Sequence, residues 1–345
     1  MEKRIFNPSA ERLDAPGTID LAYPIVQDYP LPPQIERALK KSVRDVTRYP
    51  HREAEVRKAL AVYAGVEPEN VLLTVGANGA LDLVAQLWGQ ERRFLVPRPA
   101  FWQLVEAPKR RGAIVSHVEL SDSDDGRDAL LGAFAASDAI VLCSPNNPLG
   151  ERFDPSLLQE LLHCAAGRPV IVDESYADMD EPPKLGAIHP DLVIVRSFKA
   201  FLIPGVRVGY ILASQDRIQA LARLRPPFEG GVFGEAAILA CLEHLSAIRE
   251  IWGKVRADLR YLEGGLRRLG GVVCPSRTLF CAWRHEAALP IGRALAHEKI
   301  FVIFADRPVI SGMPSNLMRL TARRRDVADT VLAAIERLLP KRSGL

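Results

Sequence analysis

Apolar positions along this chain fall into two textures. From Gln34 to Ala213, apolar runs of about four to six residues, the usual length of a buried strand, alternate with amphipathic stretches. The runs Val71–Val75, Arg93–Val96, Ala113–His117, Ala139–Cys143, Val170–Val172, Leu192–Val195 and Val208–Ala213 predict strands. The stretches 34–45, 52–65, Gly79–Trp88 and Pro155–Ala166 predict helices between them. Continuous apolar strands interleaved with helices imply an α/β fold, a mainly parallel sheet sandwiched by helices. After Ser214 the pattern becomes long and helical over 215–224 and 234–268, broken at Pro226-Pro-Phe-Glu-Gly-Gly231. Strand patterns follow at Thr278–Arg284, Phe301–Phe304 and Leu317–Thr321, then a final amphipathic helix over 326–338. The division expected is an irregular, Pro-rich arm over 1–33, a large domain over 34–225 and a smaller C-terminal α+β domain over 226–345. The arm is expected to pack on the small domain or on a partner subunit.

Composition narrows the classes. With 345 residues, 48% hydrophobic and 25% charged, the chain can bury a substantial core. A net charge of +3 is small and dispersed, which argues against nucleic acid as a partner. No apolar run approaches the roughly 20 residues of a membrane helix, and the N-terminus has no apolar signal core; a cytoplasmic location is expected. The five cysteines include no Cys-x-x-Cys pair, which suits free thiols in a reducing compartment. The seven histidines are scattered without metal-ligand spacing, so no metal site is expected.

Candidate chemistry gathers just past the predicted strands, where α/β sheets place ligands. Gly76-Ala77-Asn78-Gly79 follows Val75 and opens a helix, whose free N–H groups attract anions; an ordinary strand-to-helix turn has the same sequence. Asn147 lies in the turn Ser144-Pro-Asn-Asn-Pro-Leu-Gly150, which would also suit a surface. Asp173 ends an apolar strand, where an unpaired carboxylate is costly, and Tyr176 follows it. Lys199 and Arg207 fall in Phe198–Tyr210, a mostly apolar stretch that fits surface residues badly. Arg319 sits within an apolar strand and requires a partner.

The order of these motifs resembles that of the fold-type I pyridoxal-phosphate (PLP) enzymes, the class I/II aminotransferases, and most closely the histidinol-phosphate aminotransferase-like branch. The segment Arg196-Ser-Phe-Lys-Ala-Phe-Leu-Ile-Pro-Gly-Val-Arg-Val-Gly-Tyr210 carries most of the resemblance, which runs over about residues 34–335. The resemblance implies a cofactor, pyridoxal 5'-phosphate, bound to Lys199 as a Schiff base. Arg207 and the backbone of Gly76, Ala77 and Asn78 would grip its phosphate, with Ser197 nearby. Phe101, in Pro97-Arg-Pro-Ala-Phe-Trp102, would stack on the ring. Asn147 and Tyr176 would donate to the phenolic oxygen, and Asp173 would hold the ring nitrogen charged, making the ring an electron sink. Arg319 would bind the substrate carboxylate. Tyr49, in Arg48-Tyr-Pro50, would reach the phosphate of the other subunit's cofactor, which implies a homodimer with shared active sites.

Four departures surround the substrate. Ser197 precedes Lys199 by two residues where the family's usual serine stands at minus three, and Arg196 occupies that place. The serine contact is therefore lost, shifted to Ser197 or replaced by Arg196. Ala22-Tyr-Pro-Ile-Val-Gln-Asp-Tyr29 stands where the branch has Asn-x-Asn-Pro. Pro227-Phe-Glu229-Gly-Gly231 replaces Pro-Phe-Asn-Val-Asn/Ser, making Glu229 a candidate partner for a cationic group or merely an exposed loop residue. Val302-Ile-Phe304 lacks the Val-Arg pair that helps bind a substrate phosphate, with Arg307 close by. The expected activity is an aminotransferase acting on an amino acid through the Lys199 Schiff base, and not on histidinol phosphate. A decarboxylase or an elimination or cyclisation enzyme is the alternative, and an inactive PLP-fold binding protein the alternative of another class.

Overall fold

A computed structural model describes residues 16–120, 124–180 and 184–340. Residues 1–15 of the expected arm, and the last residues of the expected small domain, lie outside that set.

Seven strands form the main sheet, in the order Val71–Thr74, Gly209–Ala213, Leu192–Ser197, Val170–Asp173, Ala139–Cys143, Arg93–Leu95, Ile114–Ser116. All neighbours are parallel except Gly209–Ala213, which is antiparallel to both of its own. The central strands are buried along their whole length, so they read as unbroken apolar runs. Alternate side chains feed two different cores. Ile140, Leu142, Val172, Ile194 and Phe198 join one, while Val141, Ile171, Val193 and Val195 join the other. Helix Gly76–Trp88 packs into the second through Ala80, Leu83 and Val84.

Helix Gly76–Trp88 starts at Gly76 and not at Gly79, so Gly76, Ala77 and Asn78 form its first turn. Three helices beyond those predicted are Trp102–Arg110, Asp124–Ala135 and Ala288–His297. The helical stretch over 234–268 is two helices, Gly231–Glu243 and Leu245–Arg268, meeting at 79° around His244. The first of them packs on helices Pro33–Ser42 and Glu53–Ala64, beside the large sheet. No single helix among the described residues is long and apolar enough to cross a membrane.

A second, antiparallel sheet joins Val272–Val273, Phe280–Arg284 and Leu317–Thr321. Helices Leu245–Arg268, Ala288–His297 and Arg325–Leu338 pack around it. Two short contacts tie the layers together. Ile19–Asp20 of the arm runs parallel to Ile300–Phe301, and Ala100–Phe101 pairs with Ile310–Ser311. The longest helix also reaches the lysine loop. The Trp252 indole donates to the Ala200 carbonyl at 2.7 Å, and its ring meets Phe201 edge-on at 5.1 Å. Burying two aromatic side chains this fully contributes about 1.5–3 kcal/mol each, enough to fix the backbone beside Lys199.

Candidate functional site

The C-terminal ends of the parallel strands open into a cavity of about 470 Å³. Gly76, Ala77, Asn78, Phe101, Asn147, Tyr176, Ser197, Lys199, Arg207 and Arg319 all line it, although they are spread along the chain from Gly76 to Arg319. A larger cleft of about 610 Å³ lies between Val118, Leu157 and Arg284 and contains none of this constellation.

Lys199 follows the end of strand Leu192–Ser197, and its Nζ donates to Tyr176 Oη at 2.9 Å. Tyr176 is itself fixed edge-on against Phe280, 5.1 Å away. Asp173 lies fully buried behind them, where its Oδ1 accepts from the Ser175 hydroxyl at 2.5 Å and the Ser175 N–H at 3.0 Å. Burial pushes the Asp173 carboxyl above the usual range, while Ser175 and the Lys199 charge pull the other way. A carboxylate held there without a full counter-charge is suited to a cationic ring nitrogen.

The opposite end of the cavity is an anion cradle. The first turn of helix Gly76–Trp88 has no side-chain cap, so its N–H groups remain available. Arg207 sits in the left-handed region at φ 61°, which brings its guanidinium over Gly76. Gly76 is itself at φ 67°, and a Cβ there would fall 3.1 Å from Arg207 Nη2. Gly209 lets the two strands close up, because a Cβ on it would lie 2.7 Å from the Gly76 carbonyl carbon. Helix terminus, guanidinium and Ser197 together fit a phosphate.

The third cation is Arg319, fully enclosed on strand Leu317–Thr321. Main-chain bonds with Ile303, at 2.8 and 3.1 Å, set its register. Its Nη1 donates to Asn147 Oδ1 at 2.5 Å and its Nη2 to the Ala22 carbonyl, while Nε is buried without a partner. Desolvation brings the guanidinium down to about 10, opposed by Tyr176 and Asp20. It therefore remains charged at neutral pH, and its enclosed Nε keeps a donor that no described residue satisfies.

Arg196 resolves differently from Ser197. Successive residues of a strand face opposite sides, and here Ser197 reaches the cavity while Arg196 points into the other core. There its Nε donates to Glu174 Oε2 at 2.8 Å, and Asp178, which accepts from Tyr63 Oη at 2.7 Å, lies within its field. Arg196 makes no contribution to the anion cradle. Glu229 and Tyr49 likewise do not line this chain's cavity. Glu229 has a half-buried carboxyl, raised by desolvation and only partly offset by Arg225. Tyr49 is 73% exposed and stacks on Phe228 at 4.4 Å, so it shares a surface with the Glu229 loop. Arg307 also stands outside the cavity, over the rings of Phe301 and Phe304.

The remaining wall comes from residues that carried no expected role: Tyr23, Pro24 and Ile25 of the arm, Trp102, Ile303 and Val309. The only signal for them in the sequence was that the arm and the Val302–Phe304 stretch depart from the family's pattern.

The family model for aminotransferase class I and II matches residues 21–335. Histidinol-phosphate aminotransferase of Thermococcus gammatolerans is 30% identical over 318 residues, covering 90% of this chain and 89% of that one. Among solved structures, histidinol-phosphate aminotransferase from Sinorhizobium meliloti in complex with pyridoxal-5'-phosphate superposes with a TM-score of 0.84 at 20% identity, over 97% of this chain and 98% of that one. L-Threonine-O-3-phosphate decarboxylase from Porphyromonas gingivalis reaches a TM-score of 0.79 at 23% identity, over 92% and 98%. The chain thus belongs to the class I and II aminotransferases, beside the histidinol-phosphate branch, and its cofactor is pyridoxal 5'-phosphate.

Proposed function

We propose that the chain transaminates an α-amino acid with an uncharged, apolar side chain, and that histidinol phosphate is not its substrate. The observation that carries this reading is how the cavity's cations are used. Its lining holds three, Lys199, Arg207 and Arg319, and no carboxylate. Arg207 and the helix start suit the cofactor phosphate, and the unpartnered Nε of Arg319 suits one substrate carboxylate. The rest of the wall is Tyr23, Pro24, Ile25, Trp102, Ile303 and Val309. A substrate that carries a carboxylate engages Arg319, and a phosphate seated on the rest of the wall would then be desolvated without a counter-charge, at a cost of several kcal/mol.

When bound, the cofactor supplies an electron sink for negative charge at the substrate α-carbon. Asp173 holds the ring nitrogen in its charged form. Lys199 Nζ is the base placed to take up the α-proton and return it, and Tyr176 Oη, 2.9 Å away, orients that amine. Arg319 fixes the carboxylate, and with it the angle of the bonds at the α-carbon. Phe101 gives the ring a flat apolar neighbour. We further propose a homodimer in which the exposed Tyr49, with Phe228 and Glu229 beside it, serves the partner's site.

The test combines spectroscopy and product analysis. Protein loaded with cofactor should show a visible absorption band that Lys199→Ala abolishes. L-Leucine or L-phenylalanine should convert it to the amine form without release of carbon dioxide. Carbon dioxide release without that conversion would support decarboxylation instead, and a colourless protein would defeat both.

A further inference from the structure

We infer that Arg323 is a positioning residue for substrate, acting through the arm; this rests on the proposal that the Lys199 cavity receives an amino acid. One guanidinium holds both ends of the loop Asp20–Asp28. Its Nε and Nη2 donate to the two carboxylate oxygens of Asp28, each at 2.8 Å, and its Nη1 donates to the Asp20 carbonyl at 2.8 Å. The Arg324 N–H adds a bond to Asp28 Oδ2, also at 2.8 Å. Both partners are largely enclosed, with side-chain exposures of 15% and 12%. A bidentate pair so shielded is far stronger than a surface ion pair.

The loop needs such a clasp. Asp20 Oδ1 turns the chain by accepting from the N–H groups of Ala22 and Tyr23, at 2.6 and 3.2 Å. Beyond that point the wall residues Tyr23, Pro24 and Ile25 belong to no strand. Among the described residues, the backbone bond within this stretch is Ile25 N to Tyr23 O at 2.9 Å, internal to the loop. Their position is therefore set at the two ends, which Arg323 joins through three bonds, with Gln27 Nε2 adding a longer one to the Asp20 carbonyl at 3.3 Å. It stands four residues after Arg319, whose own guanidinium holds the Ala22 carbonyl. The strand that binds the carboxylate thus also places the wall that meets the substrate side chain. This clasp supports an arm whose sequence departs from the family's.

The experiment uses Arg323→Gln, Asp28→Asn and the double variant, each loaded with cofactor. Amide hydrogen exchange across residues 20–28 should rise about tenfold in each single variant, the factor expected on losing a charge-assisted bond. The visible band should be retained. Half-saturation by L-leucine or L-phenylalanine should rise about tenfold while the maximal rate stays within about threefold. The double variant should be no worse than either single one, since the two residues act as a unit. Unchanged exchange, additive losses, or a fall in maximal rate with unchanged half-saturation would overturn the inference. If the parent protein shows the band but converts no amino acid, the functional proposal fails, and the exchange data still decide whether Arg323 holds the loop.

Discussion

Replacing Arg196 by Met should destabilise the protein strongly while leaving the cofactor grip intact. Arg196 has no exposed surface, and Glu174, its partner at 2.8 Å, is 11% exposed. A second carboxylate, Asp178, also lies in its field. Removing one member of a buried pair leaves the other uncompensated, at a cost of about 3–5 kcal/mol, a large fraction of the 5–15 kcal/mol that typically holds a domain together. Met fills most of the volume, so the loss is electrostatic and not a cavity effect. The loss should be greater at pH 8 than at pH 5, because burial already raises Asp178 and removing Arg196 takes away the charge that lowers it, so this carboxylate is neutralised on acidification. Arg196→Met with Glu174→Gln should recover part of it. Urea unfolding followed by circular dichroism, with and without cofactor, measures these changes. Affinity for the cofactor should stay within about twofold, whereas Ser197→Ala, which would remove the hydroxyl proposed to bind the cofactor phosphate, should weaken it about tenfold. A loss below about 1 kcal/mol, or cofactor binding that follows Arg196 and not Ser197, would refute the assignment of Arg196 to the core.

Three further outcomes follow from the same geometry. Gly76→Ala should raise the cofactor dissociation constant about tenfold, measured by fluorescence titration, since it combines a cost of about 1–2 kcal/mol for the left-handed backbone with a Cβ 3.1 Å from Arg207. Asp178, pushed up to about 6 by burial despite Arg196 and Tyr63, binds a proton in the folded state that the unfolded chain, near 3.9, releases. Stability should therefore rise by about 2 kcal/mol as pH falls from 7 to 4 at this one group; Asp178→Asn should remove that component and be the more stable protein at pH 8. Asp173→Ala should retain bound cofactor but lose turnover, and near-normal steady-state rates would refute its role at the ring nitrogen.

Much of the sheet was legible because strands buried on both faces are written as unbroken apolar runs, such as Ala139–Cys143. Helix Gly76–Trp88 was placed three residues late because Gly-Ala-Asn-Gly has the composition of a turn. Three helices were hidden by residues that usually break them: Pro108 in Trp102–Arg110, Gly126 and Gly132 in Asp124–Ala135, Pro290 in Ala288–His297. The residues expected around the cofactor follow strand ends, which local pattern can locate. The fate of Arg196 was also readable in principle, since two neighbours on a strand cannot both face the cavity. The arm's clasp was not. Asp28 and Arg323 are 295 positions apart, and each by itself reads as an ordinary surface charge.

The bond from Trp252 to the Ala200 carbonyl bears on how the molecule comes apart. It joins the middle of helix Leu245–Arg268, which flanks the antiparallel sheet, to the residue immediately after Lys199. The two sheets should therefore not behave as separate calorimetric units. Heating should melt them in a single transition, with the cofactor's colour fading at the same temperature as the helical signal and not before it.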